Sequence, residues 1–328
     1  MVTLWIGVGE FVAMDGTLET ARRRRLLLRV PQAPAIVAIV ALLLICSYSA
    51  FAIQRLAASN APPYVTFTLG TAYRDVTYCN AQTLDLFVPS AASTRPLPLA
   101  IFVHGGGLTQ GDKGYLNPIF LNALARAGFA VADLNYRLAP QSKFPAQIED
   151  VKCGIRYLRA HVETYDISSI NLFAFGTSYG GTLVSLAALT GSQSPFDVGP
   201  YLNQSSAVLA AVDMFGPADL PGWIPSQAVN VDFGGNRANL LLASPTHYVK
   251  ANAPPILIVQ GAEDRSVPES QSVELYTKLH AAGDQTQLML VHNMGHMWAQ
   301  VGPNPIDPPM TQIANDMVSW FERYMAES

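Results

Sequence analysis

Short apolar runs alternating with amphipathic stretches constrain this chain more than any other feature. DVTYC and LDLFVP read as a leading hairpin, and LAIFVH, FAVADLNY, INLFAF, AVLAAVDMF, PILIVQ and QLMLVH read as further strands. Helical patterns start near Asn117, Pro145, Tyr179 and Pro268, and a closing one runs from Thr311 to Met325. Strands and helices in alternation build a parallel sheet. Most of the runs are apolar at every position, as a strand must be when helices cover both faces of its sheet. The expected fold is therefore α/β: one mostly parallel, doubly wound sheet with helices on both faces, over residues 65–328. At 328 residues, 50% hydrophobic and 13% charged, the chain can fill such a core.

One segment interrupts the rhythm. Residues 216–250 are rich in Pro, Gly and Asn between two strands and read as a short cap insertion. Phe215, Trp223 and Phe233 either line a pocket beneath it or pack it onto the body.

The N-terminal part has a different character. Residues 1–32 form a basic tail that ends in Arg22 to Arg25 and Arg29, and residues 33–53 carry no charge over about the length that spans a bilayer. A linker over 54–64 follows. The arginines precede the apolar run, so the positive-inside rule expects a transmembrane signal anchor with everything beyond it on the extracytoplasmic side. A cleaved signal peptide is the rival, because Ala50-Phe51-Ala52 offers a cleavage site and cleavage would release the rest as a secreted protein. Met14 stands as an alternative start. The net charge of −4 gives no basic surface for nucleic acid. Three cysteines without a C-x-x-C pair exclude a zinc ribbon or a thioredoxin-like motif. Cys79 and Cys153 are expected as unpaired thiols, with a disulfide as the alternative in an oxidising compartment.

Chemistry gathers where expected strands run into loops. In FAFGTSYGGTL, Phe173 to Leu183, Ser178 stands between the run INLFAF and a helical pattern, which is the strand-turn-helix setting of a G-x-S-x-G nucleophile elbow. Alone the motif is weak, arising by chance in roughly one chain in ten of this length at average composition. A serine alcohol attacks poorly unless a base takes its proton and a carboxylate orients that base. QGAEDRSVP supplies Glu263 and Asp264 after a strand, with Asp264 preferred as the acid and helix capping as its competing role. His296, in the loop NMGHMW, is the preferred base over His292 at a strand end and His280 at a helix end. His104-Gly105-Gly106-Gly107 follows LAIFV, and by chance it would arise in only a few chains per thousand. Backbone amides of Gly106, Gly107 and Tyr179 are the expected oxyanion hole. A phosphate loop is disfavoured, because GGLTQGDKG lacks the Lys-Ser/Thr ending.

These motifs, in this order and spacing, resemble the alpha/beta-hydrolase superfamily. More closely, HGGGLTQGDK, DLNYRLAPQSKFPAQIEDVKCGIRYLRAH, FGTSYGG, ASPTHYV and QGAEDRSVPESQSVELYTKLHAAG resemble carboxylesterases of the hormone-sensitive-lipase-like and BD-FAE-like, or bacterial feruloyl-esterase-type, groups. The resemblance runs from about Tyr73 to the C-terminus. It implies a triad of Ser178, Asp264 and His296, an oxyanion hole at Gly106 and Gly107, and a structural His104 that orients its loop. Such chemistry needs no metal or organic cofactor, and without a long lid or extended hydrophobic insertion a short-chain or aryl ester is the expected substrate. Two features depart from the resemblance: Tyr179 stands where many relatives carry alanine, and most soluble members have no anchor. An amide, formamide or peptide hydrolase, or an acyltransferase, of the same fold is the alternative activity. A non-catalytic binding module on a hydrolase scaffold is the alternative of a different class.

Overall fold

The chain turns its sheet around one strand. The computed structural model describes residues 70–90, 96–223 and 231–326, all within the second of two units, Met1–Tyr64 and Val65–Ser328. The expected tail, anchor and linker, and residues 224–230 of the expected cap insertion, lie outside the described residues. Among the described residues, no helix is long and apolar enough to cross a membrane.

The strands are β1 (Gly70–Thr77), β2 (Thr83–Pro89), β3 (Leu97–Val103), β4 (Ala130–Leu134), β5 (Ile167–Thr177), β6 (Ala211–Met214), β7 (Ile256–Gly261) and β8 (Thr286–Val291). They form one sheet in the order β1-β2-β4-β3-β5-β6-β7-β8. β1 and β2 pair antiparallel as the expected hairpin, β2 joins β4 antiparallel, and every later pair is parallel. The first strand differs from its expected span: β1 starts five residues earlier, at Gly70, and ends at Thr77, and Cys79 to Ala81 form a 3-10 turn in which Asn80 is left-handed. From β3 the chain moves outward to β4 and then crosses back to β5 on the other side. β3 and β5 therefore flank the point where strand order reverses, and the crevice outside their carboxyl ends is where open α/β sheets bind ligands.

The helices are α1 (Pro118–Arg126), α2 (Ala146–Ala160), α3 (Val162–Tyr165), α4 (Tyr179–Thr190), α5 (Ala238–Leu242), α6 (Glu269–Ala281) and α7 (Met310–Arg323). The short α3 and α5 carry too little periodic pattern for sequence reasoning to have found them. Alternate strand residues go to opposite faces, and both faces are covered. Ile101, Val103, Leu172 and Ala174 pack with Ile148 of α2, Leu183 of α4 and Leu275 of α6. Phe102, Phe173 and Phe175 pack with Phe120 of α1 and Phe321 of α7. This is the reason the strands read as continuous apolar runs.

One expectation is corrected. Cys79 and Cys153 are not free thiols; they form a disulfide between the turn after β1 and the middle of α2, across Cα atoms 6.1 Å apart. Hydrogen bonds surround it, with Asn80 donating to Asp150 at 2.6 Å and the Tyr78 hydroxyl donating to the Asn135 carbonyl. Register between two elements 74 residues apart brings the sulfurs together, and sequence spacing cannot reveal it.

Candidate active site

The end of β5 runs into α4 with a single residue between them. That residue is Ser178, held at φ 54° and ψ −129°, a conformation that costs an L-residue energy and persists only where packing enforces it. Its amide donates to the Met214 carbonyl at 2.9 Å, its carbonyl accepts from Thr182 at 3.2 Å, and it is 7% exposed. The elbow needs glycine at position 180, where a Cβ would overlap the Val103 carbonyl and lie 2.6 Å from the His104 oxygen. That close approach sets the start of the nucleophile helix against the end of β3 and the glycine loop.

The other two side chains come from the far half of the sheet. Asp264 sits in the loop after β7, and its two oxygens divide the work. Oδ1 accepts from the amides of Ser266 and Val267 at 2.8 and 2.9 Å, closing the turn ahead of α6, while Oδ2 lies 2.7 Å from His296 Nδ1. The expected competing role, capping of α6, is not what Asp264 does: the helix starts after Pro268 with no side-chain cap, and Asp264 closes the turn before it. Burial pushes the Asp264 carboxyl up, but the His296 hydrogen bond and the amides of Val267 and Ser266 outweigh it and hold the group below the usual carboxylate range. An ionised carboxylate only accepts, so Nδ1 carries the imidazole proton and Nε2 is left as an acceptor. Nε2 lies 3.0 Å from Ser178 Oγ. His296 is held in a 3-10 turn, His296–Trp298, just beyond β8, with Phe215 edge-on to its ring at 5.1 Å.

The histidines not chosen lie elsewhere. His292 is exposed and pairs through its backbone with Asp307, and His280 stacks on Tyr276 at the end of α6. His104 is buried under Tyr136, rings 4.2 Å apart and 13° from parallel, and its Nδ1 is 2.7 Å from the Gly105 carbonyl. Burial lowers its pKa, so it is a neutral ring that donates this bond and shapes the loop. The Tyr136 hydroxyl donates to the His104 carbonyl at 2.9 Å and fixes the same loop from below.

Opposite Ser178 the loop turns sharply, with Gly106 at φ 117° and a Cβ there overlapping the Gln110 carbonyl. The Gly106 carbonyl accepts from Thr109 and Gln110, whereas the amides of Gly106 and Gly107 donate to none of the described residues. The Tyr179 amide, first in α4, has no intrahelical acceptor. All three residues line one cleft of about 460 Å³ together with Ser178 and His296. Tyr115, Trp223, Val267 and Met297 supply much of its apolar wall.

Trp223 therefore reaches the cleft, 6.4 Å from the Tyr179 ring, while the two neighbouring aromatics do not. Phe233 is buried on Phe144 at 5.7 Å, and Phe215 backs His296 and Trp298. Tyr115 was missed by sequence reasoning although it is 58% exposed at the cleft wall. An aromatic in the Gly- and Asp-rich loop GDKGYL was the available signal. Among the described residues, no group of three or more His, Cys, Asp or Glu could hold a metal ion.

The BD-FAE family model matches residues 84–279, more than half of the chain. The chain belongs to the BD-FAE family. The matched span contains Ser178 and Asp264 and stops before His296. Among curated relatives, esterase LipC of Mycobacterium tuberculosis is 29% identical over 231 residues, covering 66% of this chain and 57% of LipC. The probable carboxylic ester hydrolase LipM of the same organism is 30% identical over 254 residues, covering 74% of this chain and 55% of LipM. This BD-FAE member spans about half the length of the curated relatives it matches. A truncated carbohydrate esterase from gut microbiota superposes with a TM-score of 0.69 at 27% identity, covering 79% of this chain and 98% of that one. The butyrate-bound esterase Est2 of Thermogutta terrifontis shares the alpha/beta-hydrolase-like fold, with a TM-score of 0.64 at 20% identity over 80% of this chain and 98% of that one.

Proposed function

We propose that this BD-FAE member is a serine carboxylesterase. The observation that carries the reading is the hydrogen-bonded chain from Ser178 to His296 to Asp264, at 3.0 and 2.7 Å, in one cleft with Gly106 and Gly107, whose amides donate to none of the described residues. His296 Nε2 takes the Ser178 proton as Oγ bonds to the ester carbonyl carbon, and the carbonyl electrons move onto its oxygen. The amides of Gly106, Gly107 and Tyr179 receive that oxyanion. When the tetrahedral intermediate collapses, the C–O bond to the alcohol breaks, the alcohol leaves with the proton from His296, and an acyl-serine remains. Water then gives its proton to Nε2, attacks the acyl carbon and releases the acid as the proton returns to Ser178. Asp264 holds the imidazole tautomer throughout. Preorganised donors of this kind supply roughly 3–4 kcal/mol each towards the barrier in other acyl-transfer enzymes.

Short acyl or aryl esters are the substrates the cleft suits. Its volume of about 460 Å³ is small, and Tyr179 and Trp223 crowd the wall where alanine would leave room. The names of the relatives, esterase and carboxylic ester hydrolase, support the reaction class. The test compares the full chain with Ser178→Ala on p-nitrophenyl acetate and butyrate. Turnover by the parent and loss of nearly all of it in a folded variant supports the assignment; equal activity in both would sink it.

The catalytic unit is placed on the extracytoplasmic side, held by the apolar segment 33–53 or released by its cleavage. The arginine cluster ahead of that segment supports the orientation, and the disulfide supports an oxidising compartment. In intact cells Cys79 and Cys153 are then expected to resist alkylation until a reductant is added. Free thiols at both positions would overturn the placement.

A further inference from the structure

The acid and base of the site sit on two separate loops, and their 2.7 Å bond depends on how those loops are held together. Parallel pairing of β7 and β8 ends with Gly261 against Val291, and the Ala262 amide donates to the Val291 carbonyl at 2.9 Å. Beyond that point the sheet no longer joins them. Glu263, next to the acid, then bonds Met294, two residues before the base, through both of its backbone groups. The Glu263 amide donates to the Met294 carbonyl at 3.1 Å, and Glu263 Oε2 accepts from the Met294 amide at 3.0 Å. The carboxylate thus stands in for the backbone acceptor that a continued β-ladder would have provided.

Met294 is fully buried, and the loops touch so closely that a Cβ on Gly261 would lie 3.0 Å from the Met294 carbonyl carbon. Without the Glu263 carboxylate the Met294 amide has no other partner among the described residues, and an orphaned amide costs about 1–3 kcal/mol. The loop can recover that only by shifting or admitting water, and either change moves His296. The acid loop itself has independent support. Gln260, fully buried, donates from Nε2 to the Gly261 and Val267 carbonyls at 3.1 Å each and accepts from the Ser272 hydroxyl at 2.8 Å. Losing the Glu263 contact should therefore loosen the base loop and leave the acid loop in place.

We propose that Glu263 is a positioning residue that fixes the base loop to the acid loop by clamping both backbone groups of Met294. The proposal rests on the serine hydrolase reading for its kinetic consequence. Its test compares the full chain with Glu263→Ala and Glu263→Gln, on p-nitrophenyl acetate and by the low-field proton resonance of the imidazole–carboxylate hydrogen bond. A misplacement of about 1 Å costs on the order of 100-fold, so Glu263→Ala should lose about 10- to 100-fold in kcat with little change in KM and stay folded. Glu263→Gln keeps an acceptor for the Met294 amide and should recover most of that loss. The low-field resonance should persist in the parent and the glutamine variant and disappear into exchange with water in the alanine variant. Should the alanine variant fail to fold, Glu263→Asp, one methylene too short to reach Met294, carries the same expectation. Parent-like kcat in the alanine variant overturns the proposal, as does a glutamine variant as slow as alanine. If the parent itself does not hydrolyse the ester, the esterase reading fails alone, and the resonance decides the clamp: unchanged in the alanine variant, it overturns the proposal.

Discussion

Adding one methyl group at Gly180 should disarm the site while leaving the protein folded. A Cβ there lies 2.6 Å from the His104 carbonyl oxygen and overlaps that of Val103, and both are backbone atoms at the end of β3. Ordinary van der Waals contact begins at 3.4 Å, so α4 must retreat from the glycine loop by at least 0.8 Å. Ser178 immediately precedes that helix and Gly106 and Gly107 belong to that loop, so the retreat separates the nucleophile from the oxyanion donors. A displacement near 1 Å costs on the order of 100-fold in rate, which is about 2.7 kcal/mol of transition-state stabilisation. The stability change should be smaller, because strain of about 1–3 kcal/mol from overpacking is offset by about 1 kcal/mol of helix propensity gained when glycine becomes alanine. Gly180→Ala should therefore show kcat for p-nitrophenyl acetate down by about two orders of magnitude, with a thermal midpoint within several degrees of the parent. Near-parental kcat would refute the reasoning, because the close approach would then not be holding the site together. Loss of activity only in step with loss of fold would refute it equally.

Two further outcomes follow from the surrounding framework. The disulfide closes a span of 74 residues, for which the chain-entropy estimate is about 4 kcal/mol; a Cys79→Ser, Cys153→Ser double variant should unfold at correspondingly lower urea, and an unchanged midpoint would show the crosslink to be energetically idle. Burial raises the Asp133 carboxyl to about 7, with the Gly114 amide opposing and the Asp85 charge adding to the shift. A raised carboxyl favours the protonated form in the folded state, so its cost is absent below the ordinary carboxylate range and grows as pH rises towards 7. Asp133→Asn should thus gain stability relative to the parent between pH 5 and 8, by about 2.7 kcal/mol; a difference independent of pH would show that this group does not titrate there.

Local sterics explain what could be read from the chain. A strand covered on both faces must be apolar throughout, so the inner strands were visible as runs, whereas the exposed edge strand β1 was visible only from Asp75 and carried two residues too far, to Cys79. A serine forced to positive φ at a strand-helix corner needs small neighbours within three residues, and a loop that turns at Gly106 needs glycine at that position, so Ser178 and the HGGG loop carry their own signatures. Choices among distant residues are of another kind. Glu263 and Asp264 are adjacent carboxylates after one strand, and only loop geometry turns Asp264 towards His296 while Glu263 takes the Met294 amide. His292 and His296 flank one turn, and only the backbone bridge to Asp307 sends His292 to solvent. The Cys79–Cys153 bond, and the division of Phe215, Trp223 and Phe233 between core and cleft, likewise join parts of the chain that no local pattern links. By itself the sequence determined the elements and the strained corners, because those are set by each residue's own backbone and immediate neighbours. Which side chains meet was decided only by the tertiary structure, because Ser178 and His296 are 118 residues apart and only the sheet brings them within 3.0 Å.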